Sequence, residues 1–285
     1  MDAYGGISLT RDRATLAAAR YDARVSIWVG DGAGRNLIEK IPGSAGYGEV
    51  AWAGQRLLYP KMVGSRLAIW SVSPDGTIQE VISSGSEPSA TSDGRFIVFI
   101  GSAHSLWKAD GDGGHATELI RDGVALPTVT PDDRSVVFLS VADPSPWILP
   151  LDGGPARRLV NVAAAAPSLD ISPDGKMLLF RTRDDRQNRA VFIACELPAC
   201  TSQRSFPAQG RERWTPDGRS IAYVDKDTWS SIWVQPLAGG PPYRVVHFTD
   251  RNSVSDFAWS RDGKRLAVAR QANSGDIVLL RSLKR

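Results

Sequence analysis

Between Trp214 and Gly240 the chain reads WTPDGRSIAYVDKDTWSSIWVQPLAGG: short apolar runs, SIAYV and SIWV, set between polar breaks rich in Gly, Pro and Asp. Runs this short with turn residues at both ends predict strand, turn, strand, loop, strand, turn. The same order of apolar and polar positions recurs along the chain. It appears as LTRDRATLAAA from Leu9, WAGQRLLY from Trp52, TSDGRFIVF from Thr91, TPDDRSVVF from Thr130, SPDGKMLLF from Ser172, TPDGRSIAY from Thr215 and SRDGKRLAV from Ser260. Taking the turn at Asp12, Ala53, Asp93, Asp132, Asp174, Asp217 and Asp262, successive copies lie 41, 40, 39, 42, 43 and 45 residues apart. That is the period of a four-stranded propeller blade.

A second landmark follows each turn at Trp28, Trp70, Trp107, Trp147, Phe192, Trp233 and Val278, aromatic in six of the seven copies and placed on the third strand. The pattern therefore predicts an all-β fold: one seven-bladed β-propeller of four-stranded antiparallel blades, a single domain over residues 1–285. In SPDGK the Pro presets φ, Asp accepts a local backbone hydrogen bond, and Gly takes the left-handed conformation of a bulged hairpin. Asp133 and Arg13 replace that Gly in two copies; Asp tolerates a positive φ, whereas Arg costs roughly 1 to 2 kcal/mol there. The apolar residues after each turn, such as Leu179, Ile221 and Tyr223, are suited to packing between neighbouring sheets. The last copy stops at Arg285 without the fourth strand that N-terminal residues supply in many propellers, and the five residues MDAYG are barely enough for it, so the expectation is either a natural chain that extends N-terminally beyond Met1 or a last blade of three strands.

Composition narrows the function classes. Hydrophobic residues make up 42% of the chain and nine are Trp, ample for a core. The net charge of +3 comes from 34 basic and 31 acidic residues of interspersed sign, which argues against nucleic acid as a partner. No run approaches the length of a membrane-spanning helix, and MDAYGGISLTRDR lacks the pattern of a signal peptide. His104, His115 and His247 stand at no metal-ligand spacing. There is no nucleophile elbow, phosphate loop or kinase motif, and DGDGG from Asp110 has Arg121 where a calcium loop needs Glu. The reading is a binding module with no catalytic residues, metal or cofactor.

In an antiparallel meander the tight turns share one face of the ring, while the second-to-third and blade-to-blade loops share the other. Candidate recognition residues lie in that second set: Arg183, Asp185 and Arg186 in RTRDDRQNR, Arg211 and Arg213 in RERW, and Asp227 and Trp229 in DKDTWS. Such a face suits a protein, a peptide or a small anionic ligand. In VFIACELPACTSQ, Cys195 and Cys200 flank the turn between strands three and four, where a cross-strand disulfide is geometrically open to them and two free thiols are the alternative. A disulfide would suit an oxidising compartment.

The copies SPDGKMLLF, TPDGRSIAYVDK, IWVQPLAGG and FAWSRDGKRLAVAR resemble the TolB-like, WD-repeat-like propeller repeat over nearly the whole chain. More narrowly, CELPACTSQRSFP, IWVQPLAGGPPYRVVHFTDR and the terminal DIVLLRSLKR resemble the C-terminal propeller of bacterial eukaryotic-like serine/threonine kinases. That resemblance implies a sensor or interaction domain on the extracytoplasmic side of a membrane, attached to a separate kinase domain and not itself inserted in the bilayer. The chain carries no kinase residue to which catalysis could be transferred. A stand-alone TolB-like periplasmic module and the gating propeller of a prolyl-oligopeptidase-like peptidase are the alternative expectations.

Overall fold

The computed structural model of the chain describes residues 2–11, 15–44, 48–184, 186–200, 203–207 and 209–281. Their architecture is all β, a propeller of antiparallel sheets, with one short helical turn at Ser102–His104. Blade one holds β4 (Ala51–Ala53), β5 (Arg56–Val63), β6 (Arg66–Val72) and β7 (Ile78–Ile82); blade two holds β8 (Ser86–Ala90), β9 (Phe96–Ile100), β10 (Leu106–Asp110) and β11 (Thr117–Ile120). Blade three is β12 (Val124–Val129), β13 (Ser135–Ser140), β14 (Pro146–Pro150) and β15 (Arg157–Arg158); blade four is β16 (Ala165–Ile171), β17 (Met177–Asp184), β18 (Arg189–Glu196) and β19 (Gln203–Pro207). Blade five is β20 (Glu212–Trp214), β21 (Ser220–Val224), β22 (Ser231–Pro236) and β23 (Tyr243–His247).

The closing sheet is built from both ends of the described chain. β24 (Ser253–Trp259) and β25 (Arg265–Arg281) come from the last sequence copy, while β1 (Asp2–Leu9), β2 (Thr15–Asp31) and β3 (Ile38–Ser44) come from the first, in the order β1-β2-β25-β24 with β3 also on β2. Among the described residues the seven sequence copies thus occupy six sheets rather than seven separate blades, because the first and last copies share one. The reason is local. In the first and last copies no loop separates the second strand from the third, so each runs on as a single 17-residue strand. These two strands pair along their whole length, from Thr15↔Arg281 to Asp31↔Arg265. The ring-proximal half, β24, β25, β2 and β3, makes a four-stranded blade. The other half, with β1 pairing from Asp2↔Asp22 to Leu9↔Leu16, continues outward as a three-stranded arm. Val278, the one landmark that is not aromatic, sits in the arm opposite Ala18, whereas Trp28 pairs with Val268 inside the blade. Arg13 and the turn at Asp12 lie outside the described residues.

Alternation along each strand explains why the ring holds. On β9, Ile97 and Phe99 pack toward blade one with Leu58, Ile69 and Val81. Val98 and Ile100 point the other way, toward Val124, Val136 and Phe138 of blade three. Every adjacent pair of sheets shares such a cluster, six in all, and the one between blade one and the closing sheet joins Val25, Ile27 and Ile41 to Leu57 and Tyr59. Each sheet is therefore apolar on both faces and depends on two neighbours, as expected of stacked repeat units. Leu179 and Ile221 pack between blades four and five as their position after the turn predicts. At the closing sheet, the buried Arg270 of β25 lies 3.6 Å over the Phe248 ring and 5.5 Å from Trp28 of β2, and pairs with Asp250.

The turns after the inner strands repeat one device. Thr91, Thr130, Ser172, Thr215 and Ser260 each donate a hydroxyl hydrogen bond of 2.6 to 2.7 Å to the Asp two residues on. Each hydroxyl oxygen also accepts the backbone N–H five residues on, closing the hairpin. Where Asp133 replaces the turn Gly, it takes φ 60° and its carboxylate accepts hydrogen bonds from the backbone N–H and hydroxyl of Ser92 in blade two. The replacement therefore ties two blades together.

Candidate functional site

The inner strands surround a channel cavity of about 180 Å³. Aligned on the turn positions, the residues four and six before each turn alternate toward this channel. They include Glu49, Glu87, Ser89, Leu126, Thr128, Arg211, Arg213 and Asp256. These groups are too polar to be left unpaired in so narrow a space, and they pair between blades. The Asp256 carboxylate accepts the Val50 N–H at 3.2 Å, Glu49 accepts the Glu87 N–H at 2.9 Å, and Glu87 accepts the Leu126 N–H at 2.6 Å. Thr128 donates to the Leu169 carbonyl at 3.3 Å, and Asp170 accepts the Trp214 N–H at 2.9 Å. Arg213 returns to Asp256, completing the circuit.

The charges within the circuit are unequally met. Burial alone would raise the Asp256 carboxyl, but the guanidinium of Arg213, then that of Arg211 at 3.2 Å, hold it below the ordinary carboxylate range. For Asp170, the cost of desolvation outweighs the same two cations and its carboxyl is pushed up. Glu49 is pushed up to about 7, first by burial and then by repulsion from Glu87. Beside the circuit, the buried Glu212 accepts from Arg181 at 2.5 Å and from the hydroxyl of Ser168.

The two ends of the channel differ. On the tight-turn face Arg261, from the closing sheet, reaches the Pro131 carbonyl of blade three at 2.5 Å and lies across the opening. On the opposite face a cavity of about 230 Å³ continues from the channel, lined by Gly48, Glu49, Arg181, Gly210, Arg211, Trp229, Ser255 and Asp256. Trp229 is 42% exposed and stands in a loop closed by Asp225, which accepts the Asp227 N–H and the Thr228 hydroxyl. Gly210 makes room for the indole: a Cβ there would sit 3.0 Å from the Trp229 ring and from Val224.

Of the residues expected at this face, Arg211, Arg213 and Trp229 border the channel and its mouth. Arg211 and Arg213 are committed to Asp256 rather than standing free. Asp227 is exposed and paired with Lys226 at 2.6 Å. Arg183 and Arg186 stand outside this cavity. RTRDDRQNR is mostly strand, because Thr182↔Val191, Arg183↔Ala190 and Asp184↔Arg189 extend the β17–β18 ladder, and Asp184 accepts the Arg186 and Gln187 N–H groups to close the turn. Arg183 bonds the Asn188 side chain within the same hairpin. Asp185 lies outside the described residues. The cysteines are joined as a disulfide, with Cα atoms 4.9 Å apart, buried between blades three and four. The register partner of Cys195 is Gln203, so the bond closes the turn instead of crossing between paired positions.

Glu49, Glu87, Asp170 and Asp256 are the channel residues that reading loops alone overlooks. Their signal is the phase of the repeat: polar residues at fixed distances before each turn, on strands whose intervening residues are apolar.

Solved structures of similar shape include two TolB proteins. The chain superposes on TolB from Acinetobacter baumannii with a TM-score of 0.63 at 14% identity, covering 87% of this chain and 63% of that one. A putative TolB from Agrobacterium tumefaciens gives 0.64 at 15% identity, covering 88% and 99%. Kuenenia stuttgartiensis hydrazine synthase gives 0.57 at 16%, covering 79% and 74%. The chain thus spans less than two thirds of the Acinetobacter protein. No family model matches the sequence, and no curated protein sequence matches it. The likeness establishes the fold.

Proposed function

We propose that this chain is a binding propeller that holds a short segment of a partner protein at the open mouth of its channel, with no chemical step of its own. One observation carries the reading. At the mouth a half-exposed indole, Trp229, borders a cavity with the guanidinium of Arg211 and the carboxyl of Glu49, while Arg261 lies across the far end. An apolar anchor beside the Arg211–Asp256 ion pair suits a peptide better than a purely anionic ligand. The test is selection of a random peptide library on the full chain, followed by calorimetry of the selected peptides. Trp229→Ala should weaken binding by about tenfold or more, corresponding to an anchor contribution of about 1.4 kcal/mol. Equal affinity of the Trp229→Ala and unmodified chains would overturn this placement.

The buried Cys195–Cys200 disulfide supports an extracytoplasmic setting, where such bonds persist. Within that setting, the resemblance of the last copies to kinase-linked propellers supports a sensor domain whose occupancy alters an attached kinase. The purified chain would then transfer no phosphate, and autophosphorylation by it would sink this reading. A stand-alone module is favoured by a different observation, the 99% coverage of the Agrobacterium propeller. The complete reading frame separates the two, since only the first has a kinase domain in it.

A further inference from the structure

The charges around the channel do not balance. Four carboxyls, those of Glu49, Glu87, Asp170 and Asp256, face the two guanidinium groups of Arg211 and Arg213. Elsewhere the signs are even: Arg181 pairs with Glu212 at the mouth, and Arg261 and Asp133 stand one of each sign at the far end. Arg211 and Arg213 both pair with Asp256 and also act on Asp170. Among the described residues Glu49 and Glu87 make no ion pair. Each uses one carboxylate oxygen, Oε2, to accept a backbone N–H from the next blade, that of Glu87 and that of Leu126.

Glu49 borders both spaces, the channel cavity and the 230 Å³ cavity at its mouth. Trp229 lines the second of these, with 42% of its surface exposed. An indole and a carboxylate on the walls of one small cavity suit a long basic side chain, whose methylene stem packs on the ring while its charged end reaches the carboxylate. An acidic side chain would meet like charge there, and an apolar one would bury Glu49 further with no counterion.

We infer that the segment held at the mouth places a lysine or arginine side chain between Trp229 and Glu49, and that its cation displaces a proton from Glu49 to solvent as it enters. The inference rests on the mouth being the binding site and names what is recognised there. In the chain alone, loss of water and then repulsion from Glu87 push the Glu49 carboxyl up to about 7; Asp256 adds to the repulsion and Arg211 opposes it. Arg213 also faces Glu49, and Arg181 lines the mouth beside it but is held by Glu212. A proton therefore serves as the counterion of Glu49 below neutral pH. A bound ammonium or guanidinium takes over that part, so binding releases a proton and strengthens as pH rises through 7.

The test is selection of random peptides on the full chain at pH 8, from a library that is acetylated and free of His and Cys so that the peptides themselves do not titrate near neutral pH. The selected sequences should share Lys or Arg at one position, and norleucine in its place should weaken binding by about tenfold or more at pH 8. The affinity of the basic peptides should fall by about tenfold or more between pH 8 and pH 5.5. In Glu49→Gln, whose amide oxygen can still accept the Glu87 N–H, both effects should disappear. Peptides that lose affinity in Trp229→Ala yet share no basic residue, bind equally at the two pH values, or keep their pH dependence in Glu49→Gln would overturn this inference and leave the mouth as the site. Selected peptides indifferent to Trp229→Ala would overturn the placement at the mouth, and this inference with it.

Discussion

Arg213 of blade five grips Asp256 of the closing sheet, its Nη2 donating to both carboxylate oxygens at 2.9 and 3.1 Å and its Nε to one of them at 3.3 Å. Both groups are largely shielded from water, Asp256 being 2% exposed, so the pair is held by geometry rather than by surface attraction. Removing one partner leaves a buried charge without its counterion, which costs about 3 to 5 kcal/mol. Asp256→Ala should therefore lower the denaturant midpoint sharply. A loss no larger than that of an exposed pair such as Lys226–Asp227 would refute the inter-blade role.

Glu49 should oppose stability at high pH. Its folded value near 7 stands above the ordinary 4.5, so the folded chain keeps a proton that the unfolded chain releases. The penalty is absent below about pH 4.5, grows as pH rises, and is complete above pH 7 at about 3 kcal/mol. Glu49→Gln should gain most of that at pH 8 and almost nothing at pH 4. Urea titrations at the two pH values check it, and an equal effect at both would show that burial is not the cause.

The turn carboxylates act in the opposite sense. Asp93, Asp132, Asp174 and Asp262 are held below the ordinary 3.8 chiefly by the neighbouring hydroxyl; at Asp217 burial opposes this, and the Thr215 hydroxyl leads the groups that outweigh it. Their contribution is present above pH 3.8 and is lost as pH falls through the depressed values. Thr130→Val keeps the shape but removes both the bond to Asp132 and the acceptor for the Ser135 N–H, and should cost about 1 to 2 kcal/mol at neutral pH. The difference from the unmodified chain should narrow during acid titration; a constant difference would count against the carboxylate's part in it.

Reduction of Cys195–Cys200 should weaken blade four without opening the ring. The disulfide closes a loop of only five residues' separation, so its effect through the unfolded chain is about 2 kcal/mol. Thermal melting with and without reductant measures this. An unchanged midpoint would mean that the packing of Leu197 and its neighbours already fixes the turn.

Much of this fold was legible because each blade is locally specified. The Thr-x-Asp-Gly cassette names its own hairpin, and alternating residues such as Ile97 to Ile100 name the two faces of a sheet. What could not be read locally was closure. Whether Ala19 to Arg24 turns or runs straight is decided by the availability of Ala272 to Ile277 as a ladder partner, more than 240 residues away. The site divided in the same way. Trp229 and Arg211 were visible as unusual residues in loops, but Arg183 reads as loop only until Val191 and Ala190 pair beside it. The buried carboxylates show no local oddity, since Glu49 in GEVAW looks like any surface Glu until the channel surrounds it.

The 17-pair ladder between β2 and β25 gives the molecule a mechanical direction. Tension that draws these strands apart at the arm tip loads one rung at a time, starting at Thr15 and Arg281, so the arm should unzip at low force. Peeling then meets the ring-proximal rungs from Val25 inward, where Ile27, Ala267 and Ala269 lie in the core and Arg270 is clamped on Phe248. A pull would thus give a soft extension and then an abrupt stop, a strain gauge in series with a rigid ring.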